Sequence, residues 1–92
     1  MNIDYHHAYP FRDEIGIRTF YIDADDSEYV WHRDHDNRLV EIIAGDGWQF
    51  QWDKALPWLL KPGMKFKIQA YEYHRLIKGT NDLQVQITSL DK

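Results

Sequence analysis

Two separate segments of the chain place imidazole and carboxylate groups where they could meet. The first holds His32 and Asp34, one residue apart, and the second holds His74. In an extended segment the side chains alternate between two faces, so His32 and Asp34 share a face with Val30. For the same reason His74 shares a face with Leu76. Polar groups among apolar neighbours need partners, and because cysteine is absent any metal would take nitrogen and oxygen ligands.

Other catalytic chemistry has little support in the sequence. Without cysteine, and without a strand-turn-helix elbow around a serine, nucleophilic catalysis is not indicated. The glycines at 45 and 47 lead into a strand rather than a helix, so they do not form a phosphate loop. The acidic cluster at 23–26 lacks the spacing of a calcium loop and predicts a solvated loop. His6 and His7 are expected to lie in solvent or on a partner surface.

The elements that must position these residues are predicted to be short strands. Alternating apolar runs separated by turn residues recur from Ile15 to Ser89, and no window holds a helical stripe over three turns. The predicted strands cover 15–22, 28–34, 38–44, 48–52, 64–70, 73–78 and 83–89, with a short segment around Leu59. Tight hairpins are predicted at 45–47 and 79–82, and a type II turn at Pro62 and Gly63. About eight strands predict an all-β sandwich, jelly roll or small barrel.

Size and charge restrict the classes of function. A chain of 92 residues, 43% of them hydrophobic, suits one domain spanning 1–92. Its 11 basic and 15 acidic residues give a net charge of −4, which predicts no nucleic-acid partner. Neither a signal peptide nor a membrane-spanning length is visible, and the lack of cysteine fits a reducing compartment. We expect a soluble cytoplasmic protein without a membrane partner.

Over roughly residues 27–78 the sequence resembles the cupin family. The first cupin motif has two histidines one residue apart, then a glutamate and a glycine, and its spacing is kept by His32, Asp34, Arg38 and Gly45. The spacing of the second motif, which contains two glycines, a proline, a histidine and an asparagine, is kept by Gly63, Gln69, Tyr71, His74 and Lys78. Segments 31–34 and 73–79 are also similar to small cupin-like proteins of tailed phages. The resemblance implies a single cupin-type jelly-roll β-barrel.

The resemblance also implies a metal site. The family's ligands fall on His32, Asp34 and His74, whereas Arg38 replaces the family's glutamate and cannot ligate a cation. Two imidazoles and one carboxylate form the set associated with non-haem iron(II) and open coordination positions, and Fe2+, Mn2+, Ni2+ or Zn2+ are the candidate cofactors. Arg38 must then point away, pair with Asp34 or bind an anionic substrate.

Two hypotheses follow from these residues. In the first, a divalent metal on His32, Asp34 and His74 serves a cupin oxygenase or isomerase, and Arg38 holds a substrate carboxylate or phosphate. In the second, an ion pair of Arg38 and Asp34, buttressed by the two histidines, satisfies all four groups without metal. The metal-free protein would bind a small molecule, use His74 or His32 as a catalytic base, or serve as an interaction protein.

The segment 48–52 offers a further choice between two faces. Trp48, Phe50 and Trp52 share one face, for which we expect core or dimer packing. Gln49 and Gln51 alternate opposite them, and if that face points inward the two amides line the pocket and recognise substrate hydroxyls. Similarity to cupins also implies a homodimer built on exposed strands and aromatic patches. Candidate contact residues are Tyr71, Tyr73 and Trp58.

Overall fold

The computed structural model describes residues 11–14, 16–24 and 29–90, which form eight antiparallel strands in two sheets. The strands are β1 Phe11–Glu14, β2 Ile17–Phe20, β3 Arg38–Ala44, β4 Gln49–Trp52, β5 Trp58–Leu59, β6 Lys65–Ile68, β7 His74–Ile77 and β8 Leu83–Ser89. One sheet has the order β1-β2-β8-β3-β6 and the other the order β5-β4-β7. The all-β prediction is confirmed. Within the described ranges, no helix is long and apolar enough to span a membrane.

Alternation along the strands creates one core between the two sheets. On β8, Leu83 and Val85 are buried while Gln86 is exposed, and on β3 Val40 and Ile42 are buried while Leu39 is not. Full burial of one such side chain contributes about 1.5–3 kcal/mol, so the alternation fixes which face each strand turns inward. The buried apolar residues are Phe20, Val40, Ile42, Trp48, Phe50, Leu60, Ile68, Leu83 and Val85.

Both predicted hairpins are wrong, because their strands belong to different sheets. Residues 45–47 connect β3 to β4 and residues 79–82 connect β7 to β8, yet neither pair of strands is hydrogen-bonded. The backbone at Gly45 and Gly47 does have positive φ, 138° and 80°. Such angles permit a sharp reversal but do not specify the strand that follows it. Here the reversal carries the chain from one sheet to the other.

The two connections pack against each other at one end of the barrel. The Asn81 side chain accepts a hydrogen bond from Asp46 N (2.8 Å), and Thr80 N donates to Asp46 O (2.9 Å). A Cβ built on Gly79 would lie 2.0 Å from Asp46 O and 2.5 Å from Trp48 N. Only glycine allows this approach of two backbones. The close contact and the hydrogen bonds join the two loops, and each loop connects one sheet to the other. Arg38 and His74 lie at the other ends of β3 and β7, away from these loops.

Two predicted segments differ from the structure near the N-terminus and before β3. Strand β1 was not predicted, whereas the predicted strand 28–34 is reduced, over its described part, to one isolated bridge at His32. Val30 is 57% exposed and does not share the inward face expected for it, because the segment is not extended there. The acidic cluster lies partly, and His6 and His7 wholly, outside the described residues.

The turn between β5 and β6 matches its prediction. Met64 N donates to Lys61 O (3.1 Å) across the turn, and Gly63 has φ 95°. A glycine with positive φ at the third position, following Pro62, is the pattern of a type II turn. Because β5 and β6 belong to different sheets, this turn also crosses the barrel.

Candidate metal centre

His32 and His74 lie directly opposite each other across two short segments of backbone. His32 N donates to His74 O (3.0 Å) and His74 N donates to His32 O (2.9 Å), which closes an antiparallel bridge. The two rings are in edge-to-face contact with centroids 4.4 Å apart. The bridge therefore brings together side chains that are 42 positions apart in sequence.

Both imidazoles are held in the same way by their own backbone. Nδ1 of His32 is 2.9 Å from Val30 O, and Nδ1 of His74 is 2.9 Å from Glu72 O, in each case the carbonyl two residues earlier. A carbonyl oxygen only accepts, so Nδ1 carries the hydrogen in both rings. A neutral ring then presents the lone pair of Nε2 to a metal, whereas a protonated His74 donates from Nε2 to Asp34 (3.3 Å). A metal-binding histidine is commonly oriented by a bond such as those from Nδ1.

Asp34 completes a group of three potential ligands. Its Oδ2 lies 3.3 Å from Nε2 of His74, and one ligand atom from each of His32, Asp34 and His74 lies within 4.8 Å of the others. Two ligands bound to one metal at about 2.1 Å lie about 3.0–3.4 Å apart, so Asp34 and His74 already have the required separation. Two imidazoles and one carboxylate are a donor set that suits a divalent cation.

The carboxylate of Asp34 is kept ionised by its neighbours. Partial burial raises the pKa of Asp34. The hydrogen bond from His74 and the charges of Arg38, His74 and His32 together lower the pKa by more than burial raises it. The net pKa lies below the ordinary value of 3.8. A carboxylate that is ionised at neutral pH is the form needed both for metal binding and for an ion pair.

Arg38 stays close to Asp34, but its shortest contact is with Asp36. Its Nε donates to Oδ1 of Asp36 at 3.0 Å, whereas its Nη1 lies 3.6 Å from Oδ1 of Asp34, beyond hydrogen-bonding distance. The second oxygen of Asp36 accepts a hydrogen bond from Ser89 Oγ (3.0 Å). Asp36 is thus the closer partner of Arg38, and Oδ2 of Asp34 remains directed at His74.

The His74 ring belongs to the hydrophobic core. His74 is only 3% exposed. The Phe50 ring stacks on its imidazole with centroids 5.4 Å apart, and the Trp52 ring lies edge-on with centroids 5.6 Å apart. Leu76, two residues further along the strand, faces the barrel interior on the same side as His74, as the alternation predicted. This packing fixes the orientation of the His74 ring, so the ligand that β7 contributes is already in place before a metal binds.

A small cavity extends from the centre into the barrel. It is lined by Asp34, Arg38 and His74 together with apolar core residues, and its volume is about 40 Å³. A water needs about 10–15 Å³ measured in this way, so the cavity has room for a few waters but not for a sugar or a larger ligand. Gln49 and Gln51 do not line it, because Phe50 between them points into the core. Gln51 instead accepts a hydrogen bond from Arg75 Nε (2.8 Å).

Tyr71 differs from the cupin pattern in residue type but keeps the backbone conformation that glycine prefers. It occupies the place of the second motif's later glycine, and its backbone has φ 67°, in the left-handed region that glycine prefers. In this conformation Tyr71 N donates to Asp34 O (2.8 Å), and its ring lies edge-on to His35 at 5.8 Å. The strained turn therefore positions the segment that carries Asp34.

Arg18 belongs to the site although it lies in none of the sequence motifs. It lies on β2 and lines the cavity with Asp34, Arg38 and His74. The available signal was its spacing of two residues from Phe20, which places a charged side chain on the core-facing side of the strand. An inward arginine is a stronger indication of a site than an exposed one.

The aromatic residues expected at a dimer contact have different environments. Tyr71 and Tyr73 are 57% and 45% exposed, whereas Trp58 packs on the rings of Phe50 and Phe66 and Trp48 is fully buried. Trp48 is thus a core residue, and the homodimer stays a prediction.

The fold and the centre together define the class of structure, an all-β barrel of two antiparallel sheets, of the jelly-roll kind, with a His-Asp-His cluster at one end. Protein NMB1881 from Neisseria meningitidis superposes with a TM-score of 0.59 at 13% identity, over 88% of this chain and 80% of that one. KdgF from Halomonas sp. superposes with a TM-score of 0.55, also at 13% identity, over 94% and 92% of the two chains. No family model and no curated protein matches the sequence.

Proposed function

We propose that this protein binds a divalent metal ion through His32, Asp34 and His74 and uses it to bind or transform a small polar or anionic molecule. The observation that carries the proposal is the convergence of two oriented imidazoles and an ionised carboxylate within 4.8 Å. Two imidazoles and one carboxylate leave coordination positions for a ligand, and iron(II) is the metal most associated with the set. When bound, the metal supplies Lewis-acid or oxygen-activating chemistry.

The protein's own residues supply orientation and exclusion of water. The carbonyls of Val30 and Glu72 hold the hydrogen on Nδ1 of the two rings, so Nε2 is available to the metal. The core packing around His74 leaves room for only a few waters on the inner side. A substrate therefore has to approach from the outer side, where Arg38 lies.

A metal-free role is the second candidate, and one observation favours it. Asp34 already contacts both Arg38 (3.6 Å) and His74 (3.3 Å), so the network can satisfy the carboxylate without a cation. In that case the cluster stabilises the barrel, and His74 is the candidate base for a bound small molecule. The long distance to Arg38, and its shorter contact with Asp36 (3.0 Å), make this pairing the weaker of the two.

Metal titration of protein purified without a nickel column tests the proposal. Calorimetry with Mn2+ and Ni2+, and anaerobically with Fe2+, should give one site per chain, and His32→Ala and Asp34→Asn should each weaken binding by at least about 100-fold. His35→Ala is the matched control, because His35 is nearby but contacts Tyr71 and is not part of the cluster. A double variant His6→Ala/His7→Ala removes binding at the N-terminus. Equal weakening by His35→Ala and His32→Ala, or no binding at all, contradicts the proposal.

A further inference from the structure

Two arginines border both the inner cavity and an open groove beside the candidate metal centre. Arg18 on β2 shares a face with buried Phe20, and Arg38 on β3 shares a face with buried Val40. Both line the 40 Å³ cavity that contains Asp34, and both line a second, open depression. The two side chains therefore stand between the cluster and the solvent.

The groove has the dimensions of a small-molecule site, which the cavity lacks. Its volume is about 380 Å³, and Gly16, Asp36, Ile87 and Ser89 complete its lining. Binding sites for small molecules range from about 300 to 1,000 Å³. A ligand of several non-hydrogen atoms is accommodated here, with one side facing the arginines.

The chemistry of the lining favours an oxyanion. Among the residues that the structure describes, its charged lining comprises two arginines and one aspartate, and Asp36 is itself occupied by Arg38 Nε (3.0 Å) and Ser89 Oγ (3.0 Å). These two bonds hold Arg38 in a fixed orientation. A guanidinium has five N–H donors, and the contacts of Arg38 with Asp36 and Asp34 involve only its Nε and Nη1. Carboxylate and phosphate groups match the remaining planar fork.

We propose that Arg18 and Arg38 form an anion subsite that binds the carboxylate or phosphate group of a small organic acid in this groove. The two arginines connect this subsite to the metal centre, because they line both the groove and the cavity that contains Asp34 and His74. This inference rests on the proposed function and deepens it, because it names the substrate class and adds Arg18 as a binding residue.

The subsite is tested on metal-free, 15N-labelled protein by NMR titration. The probes are sodium malonate for a carboxylate, inorganic phosphate for a phosphate, and glycerol as the uncharged comparison. We expect malonate or phosphate, but not glycerol, to shift the resonances of Gly16, Asp36 and Ser89 at the groove. The anion that binds more tightly shows whether the subsite prefers a carboxylate or a phosphate group. Raising the salt concentration should weaken binding because the groove is open.

Variants show whether the arginines carry the binding. Arg18→Gln should weaken anion binding by about 10-fold or more, and Arg18→Lys, which keeps the charge but loses the fork, by less. Lys67→Gln, which removes the same charge from exposed β6, should change it by less than about twofold. Equal effects of Arg18→Gln and Lys67→Gln, or no shifts at the groove, overturn the proposal. If Arg18→Gln does not fold, Arg38→Lys replaces it, and unchanged binding then overturns the subsite.

The anion and metal measurements separate the two proposals. Manganese binding to wild-type protein and Arg18→Gln should agree within about threefold, because Arg18 is not a ligand. Loss of metal binding with intact, Arg18-dependent anion binding contradicts the metal centre alone. Intact metal binding without anion binding contradicts the subsite alone.

Discussion

Replacing Asp34 by asparagine separates the metal site from the metal-free network. Asparagine keeps the shape of the side chain but removes its charge. The wild-type carboxylate, whose side chain is 11% exposed, lies 3.3 Å from His74 Nε2 and 3.6 Å from Arg38 Nη1. A hydrogen bond to a charged group contributes about 1.5–3 kcal/mol, and these contacts are long. We therefore expect a loss of about 1–2 kcal/mol in the free energy of unfolding without metal.

The size of the domain converts these energies into temperatures. An unfolding entropy of about 2.1 cal/mol/K per residue gives roughly 190 cal/mol/K for 92 residues, so 1 kcal/mol corresponds to about 5 °C. Without metal, Asp34→Asn should lower Tm by about 5–10 °C. Metal at 100 times its Kd should raise the wild-type Tm by about 14 °C, since it contributes about 2.7 kcal/mol. A 100-fold weaker variant at the same concentration gains about 0.4 kcal/mol, or about 2 °C.

Thermal unfolding followed by circular dichroism, with EDTA and with saturating Mn2+, measures both effects. His35→Ala should keep the full metal-dependent increase, because His35 lies outside the cluster. An Asp34→Asn variant with the wild-type response to metal would refute the assignment of Asp34 as a ligand. A variant with the wild-type Tm in EDTA would instead show that the network contributes no stability.

Two further predictions follow from the same region. The pKa of Asp34 and that of Asp36 lie below the ordinary 3.8, so their ionised forms stabilise the fold above about pH 4 and this stability is lost at lower pH. Asp34→Asn should therefore lose less Tm than wild-type protein between pH 4 and pH 2 in metal-free buffer, and an equal loss contradicts the pKa argument. At Tyr71 the positive φ favours glycine, so Tyr71→Gly should be more stable than Tyr71→Ala by about 1 kcal/mol. Urea denaturation measures this difference, and a more stable alanine variant contradicts the proposed backbone strain.

Most of the strands could be predicted from the sequence, but their pairing could not. Alternation identified β3 and β8 and the inward faces of Trp48 and Phe50, because burial of every second side chain is a local pattern. The glycines of 45–47 were correctly expected to have positive φ, yet the loop joins two sheets rather than a hairpin. Partner choice depends on the total burial of both sheets, which no local turn signal contains.

In the candidate site, too, the sequence indicated residues but not their contacts. Resemblance to cupins identified His32, Asp34 and His74, and the structure brings all three together. The same resemblance left the orientation of Arg38 open, and the structure directs it mainly to Asp36. Arg18 and Ser89 entered the site only when β2 and β8 were paired beside β3.

The sequence alone determined the chemical groups available, their faces on each strand and the exclusion of thiolate chemistry, because these depend on residue type and on period-two geometry. The tertiary structure decided which groups meet. The bridge between His32 and His74 joins distant segments, and the pairing of β2, β8 and β3 makes Arg18 and Arg38 line the same groove. These contacts form only when both sheets close around one core, so their physical cause is the packing of the whole barrel rather than any local pattern.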